Sequence, residues 1–138
     1  MPKTIQKTIS MPCHPKFLKE VRSLLEETLA EAKLEARKRD QIILAVDEAV
    51  ASVIQYAKFK GYDHEIALTI DINDVRFKAV LNDSLNVFDL NGGVVDEAKI
   101  EAEKSYSMGI FVMRQILDEI TYVYKKGFEN TLELIYFL

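Results

Sequence analysis

Two spacings of apolar residues divide the chain. From Lys3 to Met11 a loose period of two, carried by Ile5, Ser10 and threonines among charged residues, predicts an edge strand closed by Pro12 and Pro15. The period then lengthens. From Lys16 to about Leu34, the positions Phe17, Leu18, Val21, Leu24, Leu25 and Leu29 recur at three- and four-residue steps, the mark of a helix with one buried stripe. Glu35 to Asp40, with Arg37, Lys38 and Arg39, reads as a solvated break, and Asp40 as the N-cap of a second helix that runs to Ala57. Ile43, Val46, Val50, Val53 and Ala57 form its core face, and Lys58 to Gly61 mark its end.

The second half returns to a period of two. His64 to Ile72 and Val75 to Asn82 alternate around Asn73-Asp74 and predict an antiparallel hairpin. Asp83 to Lys104, which contains Asn91-Gly92-Gly93, has no clear period; a connection of ~20 residues inside a small domain is usually functional, and this one is a lid candidate. Ser107 caps a short helix, Met108 to Leu117, with Ile110, Phe111, Met113, Ile116 and Leu117 facing inward. Ile120 to Tyr124 and Thr131 to Phe137 are strands joined by a turn at Gly127 and Asn130. The order β-α-α-β-β-lid-α-β-β predicts an α+β fold, a two-layer sandwich with helices on one face of a mainly antiparallel sheet.

Composition narrows the function. A length of 138 residues fits a single domain, 1–138, and 49% hydrophobic with 29% charged residues is enough to build a core. An excess of 22 acidic over 18 basic side chains gives a net charge of -4, which argues against nonspecific binding to nucleic acid. Cys13 is the sole cysteine, so no internal disulfide forms, and with two histidines, His14 and His64, the chain lacks the ligand set of a structural zinc site. No apolar run approaches the ~20 residues of a membrane span, and the first residues lack a signal peptide's apolar core. The expected location is cytoplasmic, with no membrane partner.

Chemistry concentrates on the second helix. Glu48, Ser52, Gln55 and Tyr56 lie off the core stripe, with Glu48 and Ser52 one turn apart. Taken alone, Asp47 and Glu48 are solvent-facing acids of an amphipathic helix. Asp83 follows the apolar strand Phe77 to Leu81, however, and Gly109 sits in the first turn of the later helix. A carboxylate, a loop Asp and an exposed helix N-terminus can therefore converge on one phosphate-accepting pocket.

These residues resemble a known family. The segment from Leu44 to Ala57, LAVDEAVASVIQYA, is similar to the N-box helix of the GHKL ATPases, and most similar to that of the small bacterial anti-sigma-factor serine kinases. Pro15 to Arg22 resembles the family's first helix, Asp83-Ser84-Leu85-Asn86-Val87-Phe88-Asp89 its first glycine box, Ser107 to Glu119 its second, and Asn130-Thr131-Leu132 its last strand. Order and spacing agree throughout.

The resemblance implies a GHKL sandwich that binds ATP and Mg²⁺, with Glu48 as the catalytic residue that polarises the attacking group. Ser52 stands where the family places the Asn that ligates Mg²⁺, so contact with the ion through water or a shifted metal is implied. Asp83 matches the residue that binds the adenine amino group. Ser107 is either an N-cap or a phosphate contact, Gly109 keeps one glycine at the phosphate end, and Thr131 belongs to the nucleotide-binding set. Leu85 and Val87 replace glycines of the first box, and a β-branched residue tolerates positive φ poorly, so that loop takes another path. Lys99 and Lys104 are lid candidates for phosphate. Two functions remain open: an active serine kinase acting on an anti-sigma-factor antagonist, or a partner-switching module with weak or no nucleotide binding. The family's partners are a sigma factor and its antagonist, commonly with a homodimeric kinase.

Overall fold

The computed structural model describes residues 4–60, 65–83, 111–123 and 130–138. The first strand, β1 (Ile5–Pro12), is an edge strand, and Pro12, which lacks an N–H, closes it. His14 then accepts a hydrogen bond from the Lys16 N–H at its Nδ1, 3.1 Å away, and Pro15 opens a 3₁₀ turn, Pro15–Phe17, that leads into α1 (Leu18–Glu31). Val21, Leu25 and Leu29 are fully buried along one side of α1, as the stripe predicts. Thr28 is buried with them, and its hydroxyl donates to the Leu24 carbonyl at 2.7 Å, so no polar group is left unmatched.

The break between the helices differs from the expectation. Helix α2 is Ala36–Lys60, five residues longer at its start than a helix capped by Asp40 and three longer at its end than one that stops at Ala57. Charge does not stop a helix, and Arg37, Lys38 and Arg39 are good helix formers. The stop lies earlier. Lys33 has φ 60°, the Lys33 N–H donates to the Ala30 carbonyl at 3.0 Å, and the Leu34 N–H donates to the Leu29 carbonyl at 3.3 Å. Those two bonds and the left-handed residue make a Schellman ending for α1. The Glu35 carbonyl then accepts from Arg39 N–H at 3.1 Å and starts α2.

The remaining strands are β2 (Glu65–Ile72), β3 (Arg76–Asp83), β4 (Glu119–Val123) and β5 (Asn130–Phe137). They form a five-stranded antiparallel sheet with β1, in the order β1-β2-β3-β5-β4. Asn73 makes the β2–β3 turn by accepting the Val75 and Arg76 N–H groups on its Oδ1 at 2.8 and 2.9 Å, so Val75 belongs to the turn and not to the strand. Asn130, expected in a turn, is the first residue of β5 and pairs with Asp83, while Gly127 lies outside the described residues. The expected ends His64 and Tyr124 also lie outside them.

Register assigns the faces. Ile66, Leu68, Ile70 and Ile72 of β2 lie beside Phe77, Ala79 and Leu81 of β3, and these beside Leu132, Leu134 and Tyr136 of β5. All but Tyr136 are buried, which places the helices over this face. The other face is polar and laced by cross-strand contacts: Thr8 with Thr69 at 3.2 Å, Arg76 with Asp71 at 3.1 Å, and Lys78 with Glu133 at 3.6 Å. Residues 111–116 are helical, and Met113 and Leu117 are buried as predicted. Phe111 is the exception: it is 64% exposed, because it stands on the opposite side of that turn from Met113. Ile110 lies outside the described residues. The fold is α+β, an antiparallel sheet with its helices on one side.

The left-handed conformation at Lys33 costs a non-glycine residue about 1 kcal/mol. Lys33→Gly is therefore expected to stabilise the fold by up to about 1 kcal/mol. The urea midpoint measures this, and an unchanged or lower midpoint would refute the capping assignment.

Candidate functional site

Helix α2 positions the chemistry through its 100° step per residue. Ile42, Val46, Val50 and Val53 form the ridge buried toward β3. The flank on the α1 side carries Ile43 and Asp47. Arg22 of α1 donates from Nε to Asp47 Oδ1 at 2.8 Å and from a terminal nitrogen to Oδ2 at 3.1 Å, a two-pronged grip. Asp47's hydrogen bond, and then its charge, raises the pKa of the Arg22 guanidinium above its usual value. Asp47 is thus not the free solvent-facing acid that an isolated amphipathic helix implies.

The opposite flank carries Gln41, Ala45, Glu48 and Ser52. Gln41 fixes its direction, since Tyr136 of β5 donates its hydroxyl proton to Gln41 Oε1 at 2.9 Å. This flank therefore looks along the sheet toward β5 and β4. Ala45 and Ala49 are buried there and small, and the half-buried Glu48 stands beside them.

Ser52 sits on this flank at 9% exposure, its hydroxyl donating to the Glu48 carbonyl at 2.7 Å. Its proton is turned back along the helix, a common resting place for a mid-helix serine. A Mg²⁺ ion prefers an open octahedral shell rich in water and carboxylate or phosphate oxygens. A single back-bonded hydroxyl, almost closed off from solvent, does not fit direct ligation of that ion. Among the described residues no group of three or more His, Cys, Asp or Glu could hold a metal.

Asp83 ends β3 in the row of Phe77, Ala79 and Leu81, which is the register of the helix-covered face. Its side chain lies outside the described residues, but backbone arithmetic locates its level. The Lys7–Glu31 contact at 3.2 Å places the end of α1 over the start of β1, so α1 runs back along β1 and α2 runs forward with β3. Tyr136 pairs with Phe77, so Gln41 marks the Phe77 level. From there Asp83 is about 20 Å along the strand and Ser52 about 16 Å along the helix. Glu48, Ser52 and Asp83 thus share one side of the sheet, with Asp83 just beyond Ser52.

Thr131 is not brought to them. It pairs with Asn82, and its hydroxyl donates to Asn82 Oδ1 at 3.1 Å in the register of the polar, helix-free face. Ser107, Gly109, Leu85, Val87, the lid candidate with Lys99 and Lys104, and the side chain of Tyr56 lie outside the described residues. Arg22, Gln41 and Tyr136 were not visible from sequence, because each acts through a residue on another element and carries no spacing signal of its own.

The histidine kinase-like ATPase domain family matches residues 11–136, nearly the whole chain. The chain belongs to that family. This ATPase-like domain also resembles a chain in the crystal structure of the SiaB–SiaC complex from Pseudomonas aeruginosa, with a TM-score of 0.68 and 13% identity, over 96% of this chain and 88% of that one. At that identity the likeness establishes the fold alone. No curated protein sequence matches the domain significantly. No helix among the described residues is long and apolar enough to cross a membrane.

Among the described residues, the Ser52 hydroxyl meets no partner beyond its own helix. Ser52→Ala is therefore expected to leave stability unchanged or to raise it by up to about 0.5 kcal/mol through better helix propensity. A loss above about 1 kcal/mol on urea unfolding would mean that the hydroxyl serves another buried group.

Proposed function

We propose that this domain is a partner-switching regulator of the anti-sigma-factor serine-kinase type, one domain over 1–138, with a weakened nucleotide site on the β5-facing flank of α2. The observation that carries this reading is Glu48, half-buried beside a row of small buried residues, within a chain that matches the ATPase family almost end to end. Glu48 would accept the proton of an attacking hydroxyl, and Asp83 would take the adenine amino group. Ser107 and Gly109 are the proposed phosphate contacts. Thr131 enters only indirectly, by holding Asn82 next to Asp83.

Three features support weakening. Ser52 offers a committed hydroxyl in place of a free amide oxygen. Leu85 and Val87 replace two glycines of the first box, and Ser107 one of the second. The ligand is ATP; Mg²⁺, the family's usual companion, finds no fitting ligand in Ser52. The partners proposed are an antagonist protein and a sigma factor, with a second copy of this chain as a dimer partner and a cytoplasmic setting. The resemblance to a chain solved within a two-protein complex supports a binding role. The retained Glu48 favours the second reading, an active serine kinase.

Calorimetric titration with ATP and ADP, with and without Mg²⁺, separates these readings. The expected result is saturable binding near millimolar Kd, about -4 kcal/mol, lost in Asp83→Asn and kept in Glu48→Ala. Labelled ATP with an antagonist protein then tests transfer, which Glu48→Ala stops if the kinase reading holds. Absence of heat and of thermal shift at millimolar nucleotide would remove ATP from the proposal and leave a protein-binding module.

A further inference from the structure

We propose that Arg22 is a positioning residue for Glu48: by gripping Asp47 with both prongs of its guanidinium, it sets the rotation of α2 and so the place of the neighbouring carboxylate. The inference rests on the reading of Glu48 as the proton acceptor. Its physical basis is the asymmetry between the flanks of α2.

On the Glu48 flank the buried residues are Ala45, Ala49 and Ser52. Small side chains interlock poorly with a neighbour and add little resistance to rotation. The buried ridge holds α2 against the sheet, and the finer setting of its rotation falls to polar contacts on its flanks. Among the described residues, two side-chain hydrogen-bonded contacts tie α2 to its surroundings: Tyr136 to Gln41, and Arg22 to Asp47. The first acts two turns before Glu48. The second acts on the residue immediately before it, from the opposite flank.

The lever is steep. Side-chain tips stand about 5–6 Å from the helix axis, so a 10° turn of α2 moves the Glu48 carboxylate by about 1 Å. A displacement of about 1 Å in a reacting group can cost about 100-fold in rate. Asp47 is well placed to hold such a setting: its side chain is only 18% exposed and the planar fork fixes both of its oxygens, whereas Arg22 itself is 50% exposed. Lysine has one compact ammonium and cannot reproduce the fork.

The test combines a distance with a rate. Nitroxide labels at Glu48→Cys and Thr121→Cys, in a Cys13→Ser background, report the setting of position 48 against the sheet without any turnover. Adding Arg22→Ala is expected to shift or broaden the distance distribution by about 1 Å or more. The charge exchange Arg22→Asp with Asp47→Arg is expected to restore it, and Arg22→Lys to restore it in part. In the unlabelled protein, Arg22→Ala is expected to lower kcat for ATP turnover about 100-fold with KM within about threefold. An unchanged distribution in a folded Arg22→Ala protein overturns the inference. So does a fall of kcat and rise of KM together that follow lost thermal stability and that the charge exchange does not recover. If the unmodified protein turns over no ATP, the reading of Glu48 fails separately, and the distance measurement still decides whether Arg22 sets its position.

Discussion

The burial of one ridge of α2 against β3 partitions everything around it. Ile42, Val46, Val50 and Val53 must face the sheet, and with a 100° step this leaves two flanks and one exposed back. One flank is taken by α1, whose own ridge of Val21, Leu25 and Leu29 completes the core over β1 and β2. The other has no helix of comparable length beside it among the described residues. Its polar positions, Gln41, Glu48 and Ser52, can therefore meet the β5 half of the sheet. The β5-facing position of Glu48 follows from how α1 and α2 divide the sheet between them.

That partition explains why Ser52 is a poor metal ligand. The position lies at the edge of the buried ridge, where 9% exposure rewards a short side chain whose polar atom can be satisfied within the helix. A serine does this by bonding to the carbonyl four residues back, and the bond to Glu48 at 2.7 Å is short enough to hold the rotamer. A longer amide would have to reach past that edge to present its oxygen. The substitution thus trades a projecting ligand for a satisfied one. The same economy appears at Thr28 in α1, which is fully buried and bonded back to Leu24.

Periodicity made the layers legible, because burial on one face imposes it directly: the alternation in β2 and the three-four step in α1 are consequences of the sandwich. Elements whose boundaries depend on a local conformation were not legible. The charged run Arg37 to Arg39 resembles a loop by composition, while the actual stop depends on Lys33 entering the left-handed region, which lysine does not advertise. Of the proposed site, Glu48 and Ser52 were readable through a contiguous motif on one helix. The Arg22–Asp47 grip was not, since two charges separated by 25 positions become neighbours only when α1 and α2 pack antiparallel. Thr131 was assigned by motif order alone, which fixes a strand but not a face; one residue of register separates the helix-covered side from the other.

A nucleotide site as weak as the one proposed would constrain how this domain switches. With ATP at a concentration equal to a millimolar Kd, binding contributes RT ln 2, about 0.4 kcal/mol. Moving a two-state equilibrium from one extreme to the other takes about 5.5 kcal/mol of differential affinity. Nucleotide occupancy alone therefore falls short by an order of magnitude. The difference has to come from a partner's interface, which can supply several kcal/mol through a few buried anchors, or from a covalent change on that partner. Either source would act on the position of α2, whose fine rotation, within the limits set by the buried ridge, is tied among the described residues by two polar tethers, Gln41 with Tyr136 and Asp47 with Arg22. Arg22 is half-exposed, so an incoming carboxylate can compete for its fork while the buried ridge stays in place. Such competition would act on the setting of Glu48 without unfolding the core, and this is what a regulator with little binding energy of its own requires.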